Sequence, residues 1–422
     1  MRFLYSLLWS LALPLVLLRL WRRGRKEPGY RQHVAERLGF YGKSSVNRPL
    51  IWVHAVSVGE TRAAEPLITA LMDAYPEHGI LLTHMTATGR ATGAVLLGQH
   101  ASRIIQSYLP YDIGWMMARF LRHFSPCLCI LMETEIWPNL IAQCVHLHIP
   151  VALVNARMSE RSLTRAKYAS TLMADAAGSI TCVTAQTEED ATRLRKYGAE
   201  HVQVCGSIKF DVAPAAIATE LGAALRNSIG KRPVLLCAST REGEEALLLD
   251  ALKSLAVPDV LLVMVPRHPQ RFDSVAQLIA TRSLTMHRRS TLRENNSLPA
   301  DVQVLLGDSM GEMFAYYAAC DAAFIGGSLL PLGGQNLIEA CAVGTPVLIG
   351  PYTFNFEDIT EGAIAAGAAL RVKDASETMQ QASHLLTNAE LRKRMGQQAL
   401  DFALRHRGAT ERTMALLRPL LR

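Results

Sequence analysis

Short apolar runs separated by glycine-marked loops and amphipathic stretches recur along most of the chain, and this alternation predicts two parallel α/β halves. In the first half the runs are residues 50–54, 80–83, 104–108, 127–132, 151–155, 180–184 and 201–205. Their brevity and their flanking turn residues mark strands buried on both faces, and most lead through a polar loop into a helical segment such as 61–71 or 188–197. After alanine-rich material and Gly230-Lys231-Arg232-Pro233 the pattern restarts with 234–237, 260–265, 302–306, 322–325 and 347–349, and a broken helical tail over about 376–421 closes the chain. The expected fold class is therefore α/β, with two doubly wound, Rossmann-like domains in tandem.

The apolar pattern is densest at the N-terminus. From residue 3 to 18 only Ser6, Ser10 and Pro14 interrupt it, Arg19 to Trp21 add a cation and an interfacial aromatic, and Arg22, Arg23, Arg25 and Lys26 follow. A bilayer core takes ~20 helical residues, so this helix either spans with its flanks stretched or lies partly in the interface. A cleaved signal peptide is disfavoured because a single arginine precedes the run and no small-residue cleavage site follows it. The cations after the run argue that the rest of the chain stays on the cytoplasmic side. The expected organisation is a membrane anchor with a short amphipathic helix over 1–43, a first domain over 44–212, a linker over 213–231 and a second domain with its helical tail over 232–422.

Composition sharpens this picture in three ways. Half of the 422 residues are hydrophobic and 19% are charged, which suits an α/β enzyme carrying one extra apolar segment. The net charge of +7 is gathered after the anchor and near the C-terminus without interleaved stacking aromatics, so an anionic membrane surface or anionic lipid fits better than nucleic acid. The eight cysteines include no CxxC pair and read as small buried hydrophobes in a reducing compartment.

Residues 323–358 carry the clearest chemical punctuation. The run 322–325 ends in Gly326-Gly327, a second pair, Gly333-Gly334, opens a helical run over 336–343, and Gly344-Thr345-Pro346 stops it before the next strand. Glycines before a helix N-terminus let backbone N–H groups approach an anion, and a phosphate is the natural guest. Glu339 either bonds vicinal hydroxyls such as those of a ribose or only complements the helix dipole, and the stretch alone supports both. Ligands of parallel sheets sit beyond the carboxyl ends of the strands. That rule selects Glu60, Thr86 to Arg90, Glu133, Glu135, Asn139, Arg157 and Arg161 in the first half. In the second it selects Ser239 to Arg241, Arg267, His268, Met310, Gly311, Glu312, and the segment containing Gly334, Gln335, Asn336, Leu337 and Glu339. The halves lack a G-x-G-x-x-G after their first strands, a P-loop and a D-x-D, which disfavours nicotinamide enzymes, P-loop enzymes and a metal cage and leaves phosphate charge to arginine and helix ends. Transfer to a hydroxyl needs a proton acceptor, for which a loop-held Glu60 or His54 would serve. A first-turn glutamate that merely complements its helix, and a packed histidine, are the bland alternatives.

The ordered set VHAVSVGE (53–60), ETEIWPN (133–139), NARMSERS (155–162), GSIKFD (206–211), PRHPQRF (266–272), MGEM (310–313), GGSLLPLGGQN (326–336) and GPYTFNFED (350–358) resembles the lipid A-specific 3-deoxy-D-manno-octulosonic acid (Kdo) transferases over nearly the whole chain. The resemblance implies a GT-B fold with two domains facing a cleft, CMP-Kdo as donor substrate with no cofactor, a lipid A precursor as acceptor, inverting transfer without metal, and an inner-membrane position with the body in the cytoplasm. It also implies that Glu60 is the proton acceptor. Arg267, His268, Met310, Gly311, Glu312, Gly334, Gln335, Asn336 and Leu337 would contact CMP, with Glu339 placed for the ribose. Glu133, Glu135, Arg157 and Lys209 are expected to contact the acceptor or the opposite domain. Gln335 and Tyr352 replace histidines usual in the family, so a changed donor contact is expected. Two other readings remain: a nucleotide-sugar 2-epimerase, which needs no anchor, and a membrane-tethered nucleotide-sugar binding scaffold.

Overall fold

The computed structural model describes residues 1–25, 27–42, 48–96, 98–160, 163, 170–212, 216–292 and 296–421. Lys26, Arg161, Ser162 and Arg422 lie outside the described residues, as does the start of the expected linker. The chain forms two compact units, Met1–Asp211 with Arg407–Arg422, and Val212–His406.

The first unit is built on seven parallel strands: β1 (Leu50–His54), β2 (Gly79–His84), β3 (Ile104–Tyr108), β4 (Leu128–Met132), β5 (Val151–Ala156), β6 (Cys182–Ala185) and β7 (Val202–Val204). Their order is β3-β2-β1-β4-β5-β6-β7, so the direction of winding reverses between β1 and β4. Two-residue periodicity divides each inner strand between two cores. Leu50 and Trp52 of β1 and Cys129 and Leu131 of β4 enter one apolar cluster, while Ile51, Val53, Leu128, Ile130 and Met132 enter the cluster on the other side. The register pairs His54 with Leu131, which brings the loops after β1 and β4 out at the same edge.

The second unit repeats the scheme with β8 (Val234–Thr240), β9 (Leu261–Pro266), β10 (Met286–Arg288), β11 (Val304–Leu306), β12 (Ala322–Ile325), β13 (Val347–Ile349) and β14 (Ala369–Arg371), all parallel, in the order β10-β11-β9-β8-β12-β13-β14. Here the winding reverses between β8 and β12, whose ends are aligned by the pairing of Ile325 with Ala238. The two edge strands, β10 and β14, were not expected from the sequence. Each is three residues long, ends in an arginine and has no continuous apolar run to announce it.

Several expected boundaries need correction. The expected linker is mostly a helix, Ala216–Ile229, which buries Gly222, Leu225 and Ile229. A Cβ at Gly222 would stand 2.8 Å from Ala318, so this helix packs closely on Met313–Ala319 of the second unit. The helical tail forms Ala375–Thr387, Ala389–Arg405 and Ala409–Leu417. Its last helix belongs to the first unit, because Ala409, Met414 and Leu417 complete the cluster beneath β1 and β4. Asp211 fixes that return by accepting hydrogen bonds from the Gly408 and Thr410 N–H groups at 2.6 and 2.5 Å.

The N-terminal helix spans Arg2–Arg23 without a break at Pro14, longer than the apolar run alone suggested. Its 22 residues extend about 33 Å, and an 18-residue stretch within it with a mean hydropathy of 1.8 makes it long and apolar enough to cross a membrane by length and composition. The amphipathic helix expected after it reduces to one turn, Val34–Arg37, with His33 left-handed at φ 54°. Glu36 from that turn accepts the Tyr108 N–H at 2.8 Å and pairs with Arg90. Arg37 is buried with its guanidinium 3.7 Å over the Tyr108 ring.

Candidate active site

Both candidate sites lie at the winding reversals of their sheets, one in each unit. In the first unit the loop after β1 runs directly into the helix Val58–Ala74, so Glu60 stands in the first helical turn. The loop-held placement expected from the sequence is thereby corrected. Ser57 is the N-cap, and its hydroxyl accepts from the Glu60 N–H at 3.5 Å while lying 3.0 Å from Glu60 Oε1, to which it donates. Glu60 Oε2 accepts the Val56 N–H at 2.8 Å. This resembles a capping box, with the carboxylate reaching one residue further back. Burial pushes the Glu60 carboxyl up to about 7; the Val56 and Ser57 hydrogen bonds oppose that rise, and the charges of Glu135 and Glu133 add to it. A carboxyl so poised exchanges protons near neutrality.

Glu133 is the first residue after β4 and takes a left-handed conformation at φ 58°. Its carboxylate is buried between Lys209 Nζ at 2.7 Å and Arg157 Nε at 3.3 Å. Glu135 accepts the Trp137 indole N–H at 2.6 Å, and burial, with Glu133 adding, raises its pKa. Three of the expected acceptor residues thus form one charge cluster, and Glu135 belongs to the same electrostatic neighbourhood. Asn139 and Arg90 do not join it: Asn139 binds Asp112 through its N–H and side chain, and Arg90 is engaged by Glu36. His54 is fully buried against Thr83 Oγ1 at 2.8 Å. Desolvation lowers its pKa to about 3, so it is a packed neutral residue and not a base.

In the second unit Gly326 ends β12 where a Cβ would meet Ser239 O at 2.5 Å, so only glycine permits this approach of the loops after β8 and β12. Arg267, after β9, donates its N–H to Thr240 O at 2.9 Å and its Nε to Gln335 Oε1 at 3.1 Å. Burial, then the Arg241 and Arg267 cations, depress the neighbouring His268. The helix expected over 336–343 is only Ile338–Ala342. Asn336 Oδ1 takes the Ile338 N–H at 3.0 Å and Asn336 Nδ2 donates to Glu339 Oε1 at 3.3 Å, so a side chain satisfies part of that helix start. Gly334 has φ 74° and donates to Gly327 O at 2.7 Å, which closes the glycine loop on itself, and Leu337 is fully buried. Met310 is exposed and Gly311 left-handed at φ 84°, while Glu312 is tied to Arg289 at 3.1 Å and to Ser309 at 2.6 Å. The structure therefore groups Arg267 with Gln335, Asn336 with Glu339, and Glu312 with Arg289 and Ser309.

Sequence reading missed Glu244. Fully buried, it accepts the Gly327 N–H at 2.6 Å, the Leu329 N–H at 2.9 Å and the Arg241 N–H at 2.9 Å, and so fastens the glycine loop to the loop after β8. A doubled glutamate, Glu244-Glu245, opening a helix after a buried strand was the available signal, and it looked like ordinary helix-start acidity. Among the described residues no three His, Cys, Asp or Glu side chains are grouped to hold a metal ion.

Residues 32–212 match the family described as 3-Deoxy-D-manno-octulosonic-acid transferase (kdotransferase), and residues 231–402 match Glycosyl transferases group 1. A 3-deoxy-D-manno-octulosonic acid transferase of Bordetella pertussis is 44% identical over 99% of this chain and 98% of its own length. One of Haemophilus influenzae is 37% identical over 100% and 99% respectively. A solved glycosyltransferase from Rickettsia africae shares the fold, with a TM-score of 0.58 at 15% identity over 89% of this chain and 100% of that one. The two seven-stranded parallel units are thus those of a GT-B glycosyltransferase, and the chain belongs to the 3-deoxy-D-manno-octulosonic acid transferase family.

Proposed function

We propose that the chain transfers Kdo from CMP-Kdo to a sugar hydroxyl of a lipid A precursor, lipid IVA, with inversion and without a metal, at the cytoplasmic face of the inner membrane. The observation that carries the reading is Glu60: a carboxyl raised to about 7, held by Val56 and Ser57 beside an acidic and basic cluster, at the winding reversal of its sheet. In the proposed step the acceptor oxygen forms its bond to the anomeric carbon of Kdo as its proton passes to Glu60. The bond from that carbon to the phosphate oxygen breaks, and CMP leaves with the electron pair. Phosphate charge falls to Arg267, with His268 and the glycine loop as further donors, and Glu339 is positioned by Asn336 to accept from ribose hydroxyls. The Glu133, Arg157 and Lys209 cluster, with Glu135 near it, offers both signs of charge to a phosphorylated sugar acceptor.

Incubation of the protein with CMP-Kdo and lipid IVA, read by mass, should show a product heavier by Kdo, and a chelator should leave its rate unchanged. Donor consumption without a lipid product would overturn the transferase reading, and strong inhibition by the chelator would contradict the metal-free step.

A further inference from the structure

The two sides of the N-terminal helix have different surroundings. Tyr5, Ser6, Trp9, Leu13, Val16 and Leu17, recurring at steps of three and four, are partly buried. Trp9 stacks on Tyr111 with ring centroids 6.1 Å apart, Ser6 Oγ accepts from Asn139 Nδ2 at 2.9 Å, and Leu13, Val16 and Leu17 pack with Trp9 against Tyr111, Ile113 and Met116. The helix therefore runs along the surface of the first unit and does not lead away from it. Its opposite face, Leu4, Leu8, Leu11, Leu15 and Leu18, is exposed, Leu11 and Leu15 by 68% and 70%. Trp115 and Phe40 are also exposed on this unit, Arg119 lies 4.2 Å over the Phe40 ring, and Arg25 and Arg31 each lie 4.7 Å over Trp21.

We infer that this helix lies in the plane of an anionic phospholipid surface with its leucine face immersed, and does not cross the bilayer. A crossing helix that kept these contacts would carry the buried Asp112 and Asn139, and the exposed Arg119 and Arg122 of the helix Gly114–Phe124, into hydrocarbon. An interfacial helix keeps those charges at the headgroups. The same placement sets Arg2, Arg19, Arg22, Arg23 and Arg25 beside lipid phosphates and leaves aromatic rings at the depth they favour. The inference rests on the membrane-bound reading proposed above and specifies its geometry.

Nitroxide labels at Leu4→Cys, Leu8→Cys, Leu11→Cys, Leu15→Cys and Leu18→Cys test it in the full chain bound to phosphatidylcholine–phosphatidylglycerol vesicles, with the unsubstituted protein as background for the native thiols. Relative quenching by oxygen and by a water-soluble nickel complex gives each label's depth. The five depths should agree within one helical turn, ~5 Å, and binding should fall at least ~10-fold on vesicles without phosphatidylglycerol. A depth changing steadily by ~1.5 Å per residue, ~21 Å from position 4 to 18, would overturn the inference. Labels that remain open to nickel, or binding indifferent to lipid charge, would overturn it as well. Transfer assayed on the same samples separates the two claims: even depths with no product sink the proposed reaction alone, and graded depths with full activity sink only the helix placement.

Discussion

Burial and hydrogen bonding act on Glu60 in opposite directions, and burial prevails. Burial raises its pKa and the Val56 and Ser57 hydrogen bonds restrain that rise. In the proposed role of proton acceptor Glu60 must be ionised, so kcat/KM should climb with pH through about 7. Ser57→Ala removes a bond that favours the charged form, and a pH–rate titration should show the limb moved upward. The stability sign is the reverse. A carboxyl whose pKa is raised on folding favours the native state while protonated, and that contribution is lost as pH rises from the unfolded range towards 7. Glu60→Gln should therefore melt a few degrees higher than the parent at pH 8 and no higher at pH 5. In the second unit Gln335, at a position where the family resemblance led us to expect histidine, accepts from Arg267. Gln335→His should shift the donor KM and its pH response, and an unchanged profile in both would count against that contact. Of these residues Glu60, Arg267 and Gln335 were legible in the sequence through spacing and family resemblance. The role of Glu244 was not, because hydrogen bonds between a side chain and a distant loop leave no periodic signal, and the local bond from Asn336 to Glu339 depends on side-chain rotamers that the sequence does not specify.

Strands and helices were readable where burial is complete. The inner strands of both sheets are apolar on both faces and stood out, whereas β10 and β14 are short, half-buried and arginine-ended and did not. The tail shows another limit of the pattern: amphipathicity says that the helix Ala409–Leu417 packs, but not on which unit. Its buried Leu417 lies in the core of the first unit, so Leu417→Ala should cost about 2–5 kcal/mol and lower the denaturant midpoint of that unit. Glu244→Ala would leave the Gly327, Leu329 and Arg241 N–H groups without their acceptor, a loss of at least ~3 kcal/mol. Calorimetric titration with CMP should then show donor affinity falling together with stability.

At the scale of the molecule, two units of the same parallel design divide the candidate groups: the second holds the glycine loop proposed for the nucleotide, and the first holds Glu60, proposed as proton acceptor, and the apolar helix. The two-unit parallel design was expected from the alternation of runs, while the family resemblance supplied the identity of the sugar. The return of Arg407–Arg422 to the first unit was hidden by its distance along the chain. The most direct test of the account is a single-turnover comparison of the parent and Glu60→Gln with saturating CMP-Kdo and lipid IVA, together with calorimetric titration of CMP. The account predicts transfer slowed at least ~10²-fold, the usual scale for a lost general base, with CMP affinity unchanged. Transfer at the parent rate, or equal losses of transfer and CMP binding, would contradict it.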